Sequence, residues 1–167
     1  MNSLQLEHIL NRALRRTGTT FLGVYPADLI PDSSPNYPCC YVANTDPHTE
    51  HGTHWVAFFL DSPTHLDFFD SYGMPPSVYQ FPLVATRVQF NSHDFQSHTS
   101  DVCGHYCVYF LYHRARRQSL RSITQILVEC GNCTDHCVTR FLTELIDSNY
   151  LKLPSHCSSQ TCIQRKK

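Results

Sequence analysis

Residues 52–70 read GTHWVAFFLDSPTHLDFFD. Trp55 to Leu60 is a near-continuous apolar run, suited to a strand buried on both faces. Ser62-Pro63-Thr64 is a turn, and Leu66 to Asp70 is a second strand, so the pair reads as a hairpin. His54 stands at the entrance of the first strand and Asp70 at the exit of the second. Outward from this hairpin, Phe21 to Tyr25 and Cys39 to Asn44 read as further strands, separated by a proline-rich surface loop from Pro26 to Pro38. Thr86 to Phe90 is another sheet candidate, with Val88 and Phe90 on one side and Arg87 and Gln89 on the other. Residues 1 to 18 read as a short amphipathic helix carrying Leu4, Leu6, Ile9, Leu10 and Leu14. Cys103 to Gln118 is the clearest helix, and Thr134 to Ile146 repeats Cys137, Phe141, Leu142 and Leu145 at helical spacing. No element is assigned between Gln118 and Thr134. The fold class is α+β: a small, mostly antiparallel sheet packed by helices, with Cys103 at the N-terminus of a central helix. Residues 1–155 are expected to form a single domain and 156–167 a polar C-terminal tail.

The composition excludes several classes of function. The chain has 167 residues, 41% hydrophobic and 16% charged, with a net charge of -1. Nothing global draws it to nucleic acid or to a membrane. No apolar run approaches the roughly 18 residues of a transmembrane helix, and the first twenty residues lack a signal-peptide block. An intracellular protein is expected, with a monomer as the default. Its nine cysteines then read as thiols in a reducing compartment rather than as a disulfide framework.

Four side chains carry the candidate chemistry, in the order His54, Asp70, Gln96, Cys103. A thiol, an imidazole and a carboxylate are the parts of an activated sulfur nucleophile. A free thiol is mostly protonated at neutral pH, but the positive end of a helix dipole and a neighbouring imidazolium both favour the thiolate. Gln96 offers an amide donor beside the Cys103 backbone N–H. Together they would form an oxyanion hole in which one donor is typically worth about 3 kcal/mol of barrier. Gly104 lets a substrate backbone come close. Each residue also has a plainer reading. A cysteine at a helix start is commonly a small buried hydrophobe, His54 suits a strand, Asp70 opens an ordinary turn, and Gln96 alone signals nothing. Their joint order, each at the end of an element, favours chemistry.

The flanks strengthen that reading. Phe21-Leu22-Gly23, Val42-Ala43-Asn44-Thr45, Gly52 to Phe58, Phe69-Asp70-Ser71-Tyr72-Gly73, Cys103 to Leu111, and Val138-Thr139-Arg140-Phe141-Leu142 through Ser148-Asn149-Tyr150-Leu151 occur in the order of adenain segments. The chain thus resembles the adenovirus-type cysteine proteases (adenain), within the larger group that includes the SUMO-specific Ulp/SENP-type proteases. The resemblance spans roughly Phe21 to Ser155. It implies His54 as general base, Asp70 as its orienting acid, Gln96 as oxyanion donor and Cys103 as nucleophile, with Trp55 and Gly104 binding substrate. It further implies cleavage of protein substrates near glycine pairs, in capsid and core precursors, inside a host nucleus and virion.

Adenovirus enzymes carry glutamate where Asp70 stands, whereas the shorter acid is the SUMO-protease choice. No cofactor is required for the chemistry. The resemblance does imply viral DNA and a capsid-derived peptide as activators. Ala85 stands near the place of the cysteine that would hold such a peptide covalently, so a non-covalent peptide is expected. The basic candidates for DNA are Arg114, Arg116, Arg117 and Arg121, set against a plain helix-end cluster.

Three alternatives stay open. One is a deconjugating protease for ubiquitin-like modifiers, and another is a non-catalytic interaction domain. The third is a zinc module built on Cys130, Cys133, His136 and Cys137, with Cys157 and Cys162 as further ligands. Cys137 also fits the apolar face of the last helix, and clustered thiols in a reducing compartment, or a chance disulfide, are the preferred readings of that run.

Overall fold

The structure is a computed structural model that describes residues 1–32, 36–83 and 85–148. Its elements are α1 (Ser3–Ala13), β1 (Thr20–Tyr25), β2 (Cys39–Asn44), β3 (Trp55–Ser62), β4 (His65–Phe69), β5 (Arg87–Phe90), α2 (Cys103–Arg114), α3 (Leu120–Cys130) and α4 (Thr134–Asp147). The expected tail, 156–167, lies outside the described residues.

The strands form one five-stranded sheet in the order β1-β2-β3-β4-β5. The centre is antiparallel, with Ala57 opposite Val42 on one side and Phe69 on the other. The antiparallel character expected of the whole sheet stops there, because both edge pairs, β1 with β2 and β4 with β5, are parallel. Parallel neighbours need a long return connection, and residues 26–38 and 70–86 supply it.

Side chains alternate across a strand, so the paired phenylalanines of β3 and β4 divide between two cores. Phe59 and Phe69 join Cys40, Val42 and Ala57 beneath the helices, where Leu6 and Leu10 of α1 and Phe110 and Leu111 of α2 meet them. Phe58 and Phe68 point the other way, against Tyr41, Ile30 and Phe81. A strand covered on both faces has no polar side to show, which is why the β3 sequence reads as a continuous apolar run.

α2 is buried from Cys103 to His113 save for His105, as befits a helix enclosed by the sheet and by other helices. It stops at Arg114, short of the expected Gln118, and Arg117 in the turn beyond has a left-handed backbone (φ 67°). α1 is likewise shorter than residues 1–18. It is closed at its start by a capping box between Asn2 and Gln5.

The stretch after Gln118, left unassigned from sequence, contains a helix, α3. The Ser119 hydroxyl accepts from Ser122 N at 3.1 Å to cap it, and Leu120, Ile123 and Leu127 are its buried stripe.

Candidate active site

The hairpin carries both polar ends of the sequence motif to one edge of the central sheet. β3 begins one residue after His54, whose carbonyl accepts from Thr45 N at 2.9 Å and extends the pairing with β2. β4 ends one residue before Asp70. Their side chains meet in the interior, His54 Nε2 standing 2.7 Å from Asp70 Oδ1, with exposures of 8% and 0%.

Asp70 is held by more than the histidine. Tyr79 Oη donates to Oδ2 at 2.6 Å, Tyr72 N to Oδ1 at 2.9 Å and Met74 N to Oδ2 at 3.3 Å. Asn91 clamps the main chain from the other side. Its Oδ1 accepts from Asp70 N at 3.0 Å and its Nδ2 donates to Asp70 O at 2.6 Å. The tight turn that turns Tyr72 N back onto the carboxylate needs Gly73. Its φ is +70°, and a Cβ there would lie 2.7 Å from the His93 backbone. Burial alone would raise the Asp70 pKa, but the hydrogen bonds from His54 and Tyr79 outweigh it and hold the carboxyl below its ordinary value.

Cys103 is the first residue of α2 and is buried at the foot of this pair. Its sulfur is in hydrogen-bond contact with the His54 ring and receives the backbone N–H groups of Trp55 and Gly104. Since Nε2 faces Asp70, the ring presents Nδ1 to the sulfur. No side chain caps this end of α2, so its first N–H groups remain directed at the sulfur and the space before it. Burial raises the thiol pKa, but His54 and the two backbone donors win and bring it below the ordinary thiol value. Burial likewise works against a charged His54, yet Asp70 and Cys103 together push the ring up to about 9. Each partner therefore favours the charged form of the other.

Gln96 is buried beside this pair's supports. Its Oε1 accepts from Ser71 Oγ at 2.8 Å, while Nε2 donates to Ser100 O at 2.6 Å and to Tyr72 Oη at 3.2 Å. The amide is thus fixed in orientation, with the longer of its two donations aimed at Tyr72. That ring lies 4.8 Å from the ring of His54. Trp55 and Gly104 flank the Cys103–His54 pair, and both meet Met1. Trp55 Nε1 donates to Met1 O at 3.0 Å, and a Cβ on Gly104 would come 3.2 Å from the Met1 side chain.

The four arginines differ in their surroundings. Arg114 reaches across to the hairpin, donating from Nε to Asp67 Oδ2 at 2.6 Å and pairing with Asp61. Its guanidinium also lies 4.6 Å from the Phe59 ring centre. Arg116 stacks on Tyr112 at 3.5 Å and donates to Ala13 O at 3.1 Å. Only Arg117 and Arg121 of the four are exposed.

Cys133, expected to be a thiol, is disulfide-bonded, and among the described residues the Cys130–Cys137 run does not bring three ligand atoms together; His136 is exposed while Cys137 is buried. Cys157 and Cys162 lie outside the described residues. Among the described residues, Asp61, His65 and Asp67 are the metal-ligand types that come together, and Arg114 already neutralises both carboxylates.

Sequence reasoning missed Ser71, Tyr72, Tyr79 and Asn91. Ser71 and Tyr72 were within reach as turn residues directly after Asp70. Tyr79 and Asn91 carry no local signal, since their roles arise only when residues 76–91 fold back over the end of β4.

No family model matches the chain, and no curated protein matches it. Among solved structures it is similar to the crystal structure of the ASFV pS273R protease, at a TM-score of 0.56 and 21% identity over 87% of this chain and 67% of that one. The chain has the fold of that protease. At 21% identity the likeness shows a shared fold and does not single out the adenovirus branch of the expected group.

Proposed function

We propose that the chain is a cysteine endopeptidase of the adenain type, cutting next to small or glycine residues in viral or virus-like capsid and core precursors. One observation carries this reading. The Cys103 sulfur lies between the His54 ring and the uncapped start of α2, with Asp70 bonded to the far side of the ring.

In that arrangement the Cys103 thiolate attacks the scissile carbonyl carbon. The carbonyl oxygen becomes an oxyanion, which the N–H groups at the head of α2 face. Gln96 joins them when its Nε2–H leaves Tyr72 Oη for the oxyanion, while the shorter bond to Ser100 O holds the amide in place. The His54 imidazolium passes its proton to the leaving amine, and the C–N bond breaks to leave a thioester. Water then attacks the thioester and gives a proton to neutral His54, and the Cys103 thiolate departs from the new carboxyl group. Asp70 keeps the ring oriented in both halves and remains ionised. Substrate class and viral setting rest on the motif resemblance. Viral DNA and a non-covalent capsid peptide are proposed activators on the same footing.

The test is incubation of the full chain with Gly-Gly peptide reporters, with and without DNA and candidate capsid peptides. Cleavage by the native protein and its loss in Cys103→Ala, with an unchanged circular dichroism spectrum, is the expected result. Cleavage retained by Cys103→Ala would remove the proposal. Turnover confined to ubiquitin-like conjugates would move the function to the deconjugating class.

A further inference from the structure

Away from the catalytic pair, α1, His105 of α2 and the last turns of α4 enclose an open groove of about 860 Å³. Its lining is one-sided in two respects. Leu4 and Ile146 contribute apolar surface that is 75% and 53% exposed, and Ile9 and Leu145 continue the same surface inward. The charge is all of one sign. Arg12 and Arg15 line the groove, no carboxylate does, and neither arginine forms an ion pair among the described residues. Glu144, on the α4 wall, is turned away toward Arg140 at 3.8 Å. An exposed apolar strip edged by unpaired cations suits a ligand that is apolar on one side and acidic on the other.

The groove also reaches the candidate active site. Met1 lines it, and the same residue accepts the Trp55 indole N–H and packs on Gly104, next to Cys103. One residue therefore separates the groove from the nucleophile.

We infer that this groove docks an acidic amphipathic segment of a protein partner, and that docking is felt at Trp55 through Met1. Two other occupants fit less well. The chain's own residues 149–167 carry Lys152, Arg165, Lys166 and Lys167 and no carboxylate side chain, so they repeat the charge of the groove. A second copy placed symmetrically would set Arg12 and Arg15 against their own images. Any consequence for peptide cleavage rests on the endopeptidase reading. The docking does not.

The experiment uses the full-length Cys103→Ala protein, so its outcome is independent of catalysis. The probe is a dye-labelled synthetic helix with leucines at i, i+3, i+4 and i+7 and glutamates on the opposite face. A second peptide carries lysines in place of the glutamates. Anisotropy reports binding, and the emission of Trp55, the single tryptophan, reports the Met1 contact. Saturable binding of the glutamate peptide, weakened by salt and accompanied by a shift in Trp55 emission, is expected. The lysine peptide is expected not to bind. Arg12→Glu combined with Arg15→Glu, and separately Ile146→Asp, should each weaken binding at least about tenfold. All three side chains line the open groove, and an unchanged unfolding midpoint keeps these variants interpretable. Failure of the glutamate peptide to bind overturns the proposal, as does equal binding of the lysine peptide. So does indifference of binding to both variants, or a concentration-dependent dimer that the same variants abolish.

Discussion

His54 and His113 are hidden from solvent to the same degree, 8% and 7% exposed, and lie near opposite ends of α2. Their rings titrate in opposite directions. His54 is pushed up to about 9, because Asp70 and Cys103 outweigh its burial. His113 is pushed down to about 4 by burial, with the nearby Arg116 charge adding to the effect. Both of its ring nitrogens lack hydrogen-bond partners, and its neighbours are the rings of Tyr109, Tyr112 and Phe141. Carboxylates are present at that end of the helix too, but Asp61 and Asp67 are taken by Arg114. Burial by itself neutralises a histidine, and only a directed anion reverses the sign. One end of α2 is therefore equipped for proton transfer and the other for packing.

The largest expected effect separates the two residues by activity. His54→Ala should lower kcat/KM for a Gly-Gly reporter by about 10⁴-fold or more, while His113→Phe should stay within about twofold. The pH profile sharpens this. Turnover needs Cys103 deprotonated and His54 protonated. Its rising limb should lie below the ordinary thiol pKa, because that of Cys103 is lowered, and its falling limb near pH 9, where His54 gives up its proton. A profile still rising at pH 10 would contradict the charged pair.

Stability should divide the two residues next. The unfolded chain protonates His113 near its ordinary value of 6.5, but the folded chain resists this until about pH 4. Between those values the unfolded state binds the extra proton and stability falls as the pH drops, by roughly 3 kcal/mol in full. The sign for His54 is opposite. Its contribution is complete below 6.5 and is lost as pH rises through about 9. Urea unfolding at pH 7 and pH 4.5 checks the first statement, since His113→Phe should flatten the acid loss. An unchanged slope in that variant would show that other groups cause it.

What could be read beforehand follows the same division. His54, Asp70 and Cys103 sit at the boundaries of elements whose periodicity is plain in the sequence, so the strands and α2 could be drawn and the three ends noticed. Arg114 shows the limit. Near the C-terminal end of a helix expected to run to Gln118, it reads as a cation for the dipole or for DNA, and its partners, Asp61 and Asp67, lie on a distant hairpin. α3 was legible in principle, since Ser119 is a good cap and Leu120, Ile123 and Leu127 share a face. From sequence no element is assigned there, and the cysteine-rich run just beyond it is weighed for metal binding only. The parallel sheet edges could not be read, because strand direction there depends on how loops 26–38 and 70–86 return, and alternation within a strand carries no direction.

Smaller effects probe the supports of the charged pair. Gln96→Ala should lower turnover by about a hundredfold if its amide serves the oxyanion, and a change under threefold would confine it to bracing Ser71 and Tyr72.

Tyr79→Phe is expected to have the least effect of the series. The substitution removes the 2.6 Å hydrogen bond to Asp70 Oδ2 and leaves the donors from Tyr72 N and Met74 N in place. The ring itself still packs between Phe68 and Phe81, so the unfolding midpoint should barely move. A carboxylate with one fewer tether holds the imidazole less firmly, which should cost about tenfold in kcat with little change in KM. If kcat were unchanged, the two backbone donors would suffice to orient Asp70, and the side-chain contact would belong to packing, as the rings around His113 do.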